Sequence, residues 1–183
     1  WMLFKNPPDH TRLRSLVHKA FTPRMIEQLR RIIQTITDQL LDQVQMKGEL
    51  ELIADLAYPL PVTAIAEMLG IPEQDRHTFH EWSDALARSL DLTEDPAVYE
   101  RATKAAATFT DYLRELANRR RAEPRNDLLS ALVAVEEAGD HLSEAELYGT
   151  CSLLLIAGHE TTINLIGNGA LALLQHPTQL HLL

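Results

Sequence analysis

The chain has 183 residues, 45% hydrophobic and 23% charged, with only 7 glycines and 9 prolines. One domain with a sizeable core fits these figures, whereas collagen-like, disordered and disulfide-scaffold classes do not. The 17 Lys+Arg against 26 Asp+Glu give a net charge of −9, which argues against nucleic-acid binding, and the 1 cysteine cannot form an internal disulfide, as suits a reducing compartment.

Charge is unevenly spread. Residues 1–31 hold Lys5, Arg12, Arg14, Lys19, Arg24, Arg30 and Arg31 against only Asp9 and Glu27, leaving the rest of the chain acidic. Such a basic patch can steer an acidic partner, although on charge alone a solvated helix face is the favoured reading. The opening Trp1-Met2-Leu3-Phe4-Lys5 lacks the charged-then-apolar plan of a signal peptide, and the sequence stops six residues past Pro177, which reads as the start of a further helix. Both ends read as cut, and a cytoplasmic setting is expected.

In chain order, nearly every segment reads as helix. Asn6-Pro7-Pro8 forms a turn feeding a short helix on which His10 and Arg14, four apart, share a face. An imidazole and a guanidinium fork together suit carboxylates, though such a pair is also ordinary on a surface helix. Thr22-Pro23 gives an N-cap and a first-turn proline. Met25, Ile26, Leu29, Ile32, Ile33, Ile36, Leu40, Leu41 and Val44 then mark an amphipathic helix to about Lys47, ended by Gly48. Residues 50–56 alternate poorly and suit a small strand or a turn. Tyr58-Pro59-Leu60-Pro61 opens a short helix through Leu69, closed by Gly70.

Residues 73–90 predict a helix carrying Phe79, Trp82, Leu86 and Leu90. Asp95-Pro96 starts another, with Tyr99, Ala102, Ala106, Phe109, Tyr112, Leu113 and Leu116 on its buried side. It ends at Arg119-Arg120-Arg121, where cations suit a helix's last turn without any anion site. Asn126 is expected to cap a helix to about Glu137, broken by Gly139-Asp140. Ser143 and Glu146 form a capping box, and no proline follows until Pro177, so residues 143–175 predict one long helix. Residues 147–174 are long and apolar enough to raise a membrane span, but His159 and Glu160 lie at the centre, where a charge costs about 2.5–3.5 kcal/mol. A buried central helix of an all-α protein with little or no sheet is the better reading, with no membrane contact.

Within that helix, Ala157-Gly158-His159-Glu160-Thr161-Thr162 is poor helix-forming sequence. Small side chains at 157 and 158 allow a close approach to the backbone. Thr161 shares a face with Gly158, its hydroxyl can bond a carbonyl one turn back, and Glu160 points about 100° away as a route to solvent. The residues alone favour a helix-packing notch with Glu160 in a structural ion pair. A zincin helix is excluded because Ile163 stands where the second histidine belongs. His77 and His80 read as a surface pair rather than metal ligands, and Glu27-x-x-Arg30 and Glu73-x-x-Arg76 as helix-face ion pairs.

Taken together, Asp9-His10-Thr11-Arg12-Leu13-Arg14 with Phe21-Thr22-Pro23-Arg24, and Ala157-Gly158-His159-Glu160-Thr161-Thr162 in a late long helix, resemble the soluble bacterial cytochrome P-450 monooxygenases over essentially the whole chain. The resemblance implies a partial domain at 1–183, from that family's C helix to the start of its J helix, without the amino-terminal sheet region or the carboxy-terminal haem-thiolate region. It implies that His10 and Arg14 bind haem propionates, that Ala157 and Gly158 line the dioxygen groove, and that Glu160 and Thr161 are the acid–alcohol pair supplying protons for dioxygen activation. It further implies a mobile lid at 73–90 and 95–121, a small lipophilic substrate, and electrons from NAD(P)H through an acidic ferredoxin or flavodoxin docked on the basic 1–31 face. The iron-ligating cysteine loop has no counterpart here; Cys151 lies on the long helix and reads as a small buried hydrophobe. The competing reading is a non-catalytic helical binding or scaffold module, which would leave Leu153, Leu154, Leu155 and Ile156 exposed.

Overall fold

The computed structural model describes residues 1–45, 47–90, 95–137 and 141–182. After a 3₁₀ turn at Met2–Phe4 come α1 (Asp9–Ala20), α2 (Pro23–Gln45), a π-helical turn at Leu52–Ala57, α3 (Pro59–Leu69), a 3₁₀ turn at Glu73–Asp75, α4 (Arg76–Arg88), α5 (Pro96–Ala122), α6 (Leu128–Glu137), α7 (Glu144–Gln175) and α8 (Pro177–Leu180). Among the described residues the fold is all-α, with no strand, as expected.

The helix ends form where the sequence places stop and start chemistry. The Met25 N–H donates to Thr22 Oγ1 at 3.2 Å and opens α2. The Ala97 N–H donates to Asp95 Oδ1 at 2.9 Å and opens α5. Gly70 closes α3 at φ +74°, the left-handed conformation that lets the chain leave a helix abruptly. At Ser143 the capping box is complete: the Ser143 N–H donates to Glu146 Oε2 at 2.8 Å, and the Glu146 N–H donates to Ser143 Oγ at 3.3 Å.

The core gathers around α3, whose Val62, Ala66 and Leu69 are fully buried. Leu13, Leu16, Val17 and Ala20 of α1, Leu128, Leu129 and Leu132 of α6, and Leu147, Cys151 and Leu155 of α7 join them. Between α4 and α5, Phe79 meets Phe109 edge-on at 5.8 Å, and Trp82 lies 5.3 Å from Phe109 and 5.2 Å from Tyr112. Edge and tilted ring contacts of this kind add to the area they bury.

Several expectations need correction. Residues 50–56 form neither strand nor simple turn. Glu51 accepts from the Ile53 and Ala54 N–H groups, Asp55 Oδ2 accepts from the Glu51 N–H at 2.8 Å, and the Tyr58 N–H reaches back to the Ile53 carbonyl at 2.9 Å. Two carboxylates therefore satisfy the backbone locally, which competes with strand pairing. The cap of α6 is Asp127 rather than Asn126: Asp127 Oδ1 accepts from the Ser130 N–H at 2.7 Å, while Asn126 bonds Gln28 instead. The Gly139-Asp140 break lies outside the described residues.

Arg76 pairs with Glu67 of α3, not with Glu73, whereas Glu27 and Arg30 do pair on α2 at 3.6 Å. Tyr99, expected on the buried side of α5, is 46% exposed, and Leu90 is 52% exposed. Arg120 is not a solvated last-turn cation. It is buried, with Nε donating to Asp127 Oδ2 at 2.5 Å and Nη2 to the Gly70 carbonyl at 2.8 Å, so that one guanidinium ties together the ends of α3, α5 and α6.

The long helix is continuous, but its burial is one-ended. Leu147, Tyr148, Thr150, Cys151, Leu155, Ile156 and His159 are buried, whereas Leu165, Leu171 and Leu174 are 73%, 54% and 68% exposed. The bare apolar surface thus lies beyond Thr161 rather than at 153–156. By length and composition, Leu52–Leu69 is apolar enough to cross a membrane. It comprises the π-helical turn and α3; Val62, Ile65, Ala66 and Leu69 of α3 lie in the core, whereas Ile53 of the turn is exposed.

Candidate functional site

Two elements carry the residues singled out by the sequence. On α1, the apolar face is spent on the core, leaving His10 half-buried and Arg14 exposed one turn apart. Neither side chain bonds to another described residue, so an imidazole and a guanidinium stand with their donors uncommitted. Arg12, between them in sequence, is engaged elsewhere: Nη1 donates to the His141 carbonyl at 3.1 Å and Nη2 pairs with Glu146 Oε1. Burial pushes the Glu146 carboxyl up, but the Ser143 N–H and hydroxyl and the Arg12 guanidinium outweigh it and hold that carboxyl below the usual range. The basic segment therefore spends Arg12 on a brace to α7 and Arg30 on Glu27.

On α7, Ala157 and Thr161 are exposed on one face. Thr161 Oγ1 donates to the Ala157 carbonyl at 2.8 Å, and Thr162 Oγ1 donates to the Gly158 carbonyl at 2.8 Å. Both β-branched residues thus return a hydroxyl to the preceding turn, while the helix stays unbroken. Gly158 forms a packing notch: a Cβ there would lie 2.8 Å from Ile65 Cδ1 of α3. Glu160 is half-buried and makes no ion pair with a described residue. The structural ion pair considered from the sequence is therefore not formed among them.

Sequence reasoning missed His159 and its partner. The ring is 2% exposed, Nδ1 lies 2.8 Å from the Leu155 carbonyl, and Ser83 Oγ of α4 lies 3.1 Å from Nδ1 and 3.4 Å from Nε2. The signal was present in the four-residue series 147, 151, 155, 159, which continues the core face of α7 through the histidine. His77 and His80 have separate neighbours. His77 sits 3.5 Å from Glu81, and His80 lies edge-on to Tyr58, whose hydroxyl donates to Asp84 Oδ1 at 2.7 Å. Among the described residues no group of three or more His, Cys, Asp or Glu is arranged to hold a metal ion. Cys151 is fully buried, and burial pushes its thiol up to about 12.

A groove of about 390 Å³ runs beside the far half of α7, between Leu52 and Ile53 of the π-helical turn and Asn164, Asn168 and Leu171. Ala157 and Thr161 are exposed on α7, well removed from its capped end, and the groove lies further along the same helix.

The cytochrome P450 family model matches residues 1–181. Cytochrome P450 CYP107DY1 of Priestia megaterium is 49% identical over 183 residues, which are 100% of this chain and 44% of that protein. The polyketide biosynthesis cytochrome P450 PksS of Bacillus subtilis is 49% identical over 175 residues, 96% of this chain and 42% of that protein. Its solved structure superposes with a TM-score of 0.89, covering 98% of this chain and 45% of that one at 47% identity. P450BioI, solved with an acyl carrier protein bearing hexadec-9Z-enoic acid, gives a TM-score of 0.87 at 45% identity, over 98% of this chain and 46% of that one.

The chain belongs to the cytochrome P450 family. It spans less than half the length of these relatives.

Proposed function

We propose that this chain is part of a haem-dependent monooxygenase that oxidises a small lipophilic substrate, and that its share of the work is to hold the haem edge and to supply protons. When bound, haem supplies the activation of dioxygen. The donor set on α1 fits it: His10 and Arg14 offer an imidazole N–H and a guanidinium fork, one turn apart and uncommitted, to carboxylates such as the haem propionates. On α7, Ala157 and Gly158 keep side-chain bulk away from the backbone, although Ile65 already occupies one side of the Gly158 notch.

The observation that carries the reading is the hydrogen bond from Thr161 Oγ1 to the Ala157 carbonyl. It commits the hydroxyl proton to the helix and turns the oxygen's lone pairs toward the open face, where Oγ1 can accept a hydrogen bond and fix a proton donor in place. Glu160 is about 100° round the helix, half-buried and without an ion-pair partner among the described residues, and its carboxyl can pass a proton between solvent and that face.

A lipophilic substrate is supported by the bare Leu165 and Leu171 and by the related CYP109E1 of Bacillus megaterium, solved with testosterone, which has a TM-score of 0.88 at 34% identity and overlaps 97% of this chain and 48% of that one. Arg24 and Arg31, exposed on the basic segment, suit an acidic ferredoxin or flavodoxin relaying electrons from NAD(P)H, in the cytoplasm. A free-standing scaffold module is less well supported, because it would leave Leu165, Leu171 and Leu174 to water.

The test is Thr161→Ala in the full-length, haem-loaded protein. NAD(P)H consumption should continue while oxidised product falls by about 100-fold, the lower end of what a positioned general acid contributes, and hydrogen peroxide rises in its place. Unchanged product per NAD(P)H would remove Thr161 from the proton route.

A further inference from the structure

Along α7, burial ends at one residue. After Ile156 the only buried side chain of the helix is His159, inside the same turn as Glu160 and Thr161. The Leu155 carbonyl, an acceptor, lies 2.8 Å from Nδ1, so Nδ1 carries the ring proton and Nε2 is left as an acceptor. Ser83 Oγ, fully buried on α4, lies off the ring edge between the two nitrogens, 3.1 Å from Nδ1 and 3.4 Å from Nε2, and with Nδ1 committed to the carbonyl its hydroxyl can donate only to Nε2. An apolar residue would have served packing at this spot. Instead a polar ring sits where water cannot replace a lost partner, and its second bond leaves α7 altogether.

Resting on the proton-delivery reading above, we propose that His159 is a positioning residue for the Glu160–Thr161 pair, with Ser83 as its anchor. The ring has one bond inside α7 and one to α4, so the pair fixes the rotation of this turn relative to α4. Rotation of the turn decides whether Thr161 Oγ1 or its methyl group faces the reaction, and how far Glu160 stands from it. Ile65 in the Gly158 notch restrains the turn from the α3 side, but a methyl contact limits distance and leaves rotation open.

The test compares Ser83→Ala, the double variant Ser83→Ala/His159→Leu and Thr161→Ala in the full-length, haem-loaded protein. Loss of the bond should lower product per NAD(P)H by about threefold to tenfold in Ser83→Ala, the range of one net hydrogen bond. The same variant should move the ¹⁵N resonance of His159 Nε2. In the double variant both polar partners are gone, so thermal stability should return toward the parent value while coupling stays low. Coupling that recovers together with stability would make the pair purely structural and overturn the proposal. Parental coupling in Ser83→Ala, with Thr161→Ala uncoupled, overturns it too and leaves the proton-delivery reading standing. If Thr161→Ala is also fully coupled, that reading fails and this inference falls with it. Should the double variant not fold, Ser83→Ala decides through its coupling and its Nε2 shift.

Discussion

Gly48 and Gly70 adopt nearly the same backbone, φ +73° and φ +74°, in different surroundings. A Cβ on Gly48 would meet nothing within 4 Å, whereas one on Gly70 would lie 2.1 Å from Asp127 Oδ2 and 2.9 Å from Arg120 Nη2. Both Gly→Ala variants incur the left-handed cost of about 1 kcal/mol. Only Gly70→Ala must also displace the Asp127 carboxylate. That group has no room to yield, because Oδ2 is held by Arg120 and Oδ1 caps α6 through the Ser130 N–H. The two side chains are only 5% and 6% exposed, so solvent screens the pair little. Breaking such a pair costs about 3–5 kcal/mol. Gly48→Ala should therefore lose about 1 kcal/mol, and Gly70→Ala about 4–6 kcal/mol, a large share of a domain's usual 5–15 kcal/mol. Urea unfolding of both variants at equal m-value measures the difference directly. Losses that agree within about 0.5 kcal/mol would refute the claim that this ion pair locks the ends of α3, α5 and α6.

Two further outcomes follow from titratable groups, besides the coupling defect expected of Thr161→Ala. Cys151, fully buried with its thiol pushed up to about 12, should resist thiol reagents at about pH 8, reacting only in denaturant. A raised thiol favours the folded state until the unfolded thiol ionises, so its contribution should erode above about pH 8.5, and a native-state reaction within minutes would contradict its burial. The Glu146 carboxyl is lowered, so the stability it contributes is present above the ordinary carboxylate range and lost as pH falls through its depressed value. Glu146→Gln should cost about 1 kcal/mol at neutral pH and flatten the acid limb of the stability curve. An unchanged acid limb would mean the capping box and Arg12 brace carry no net energy.

What was legible in the sequence was local. Thr22-Pro23, Asp95-Pro96, Gly70 and the Ser143–Glu146 box all work through backbone groups within a turn or so, and each ends or begins a helix as its chemistry requires. The reading slipped where two local solutions compete, as at Asn126 and Asp127, which differ by one residue and where the carboxylate prevails because Arg120 also needs it. It slipped again wherever a partner comes from far along the chain. Nothing near Arg120 signals a bond to Gly70, fifty residues earlier, and nothing near His159 signals Ser83, seventy-six residues earlier. At the candidate site, the Thr161 hydroxyl bond was readable from helix geometry, while that of Thr162 to the Gly158 carbonyl was not singled out. The notch that Ile65 fills at Gly158 depends on tertiary packing and was visible only as a small residue.

The Arg12 brace has a mechanical meaning. Seventeen residues separate Glu144 from Thr161, a rod of about 26 Å at the helical rise. A one-degree tilt at the capped end would swing Thr161 by about 0.4 Å, close to the tolerance a reacting group can bear. Arg12 clamps that end through Glu146 and the His141 carbonyl, and it sits on the same helix as His10 and Arg14. The two halves of the candidate site are thus levelled against one common datum, as instrument makers align two parts by referring both to a single surface.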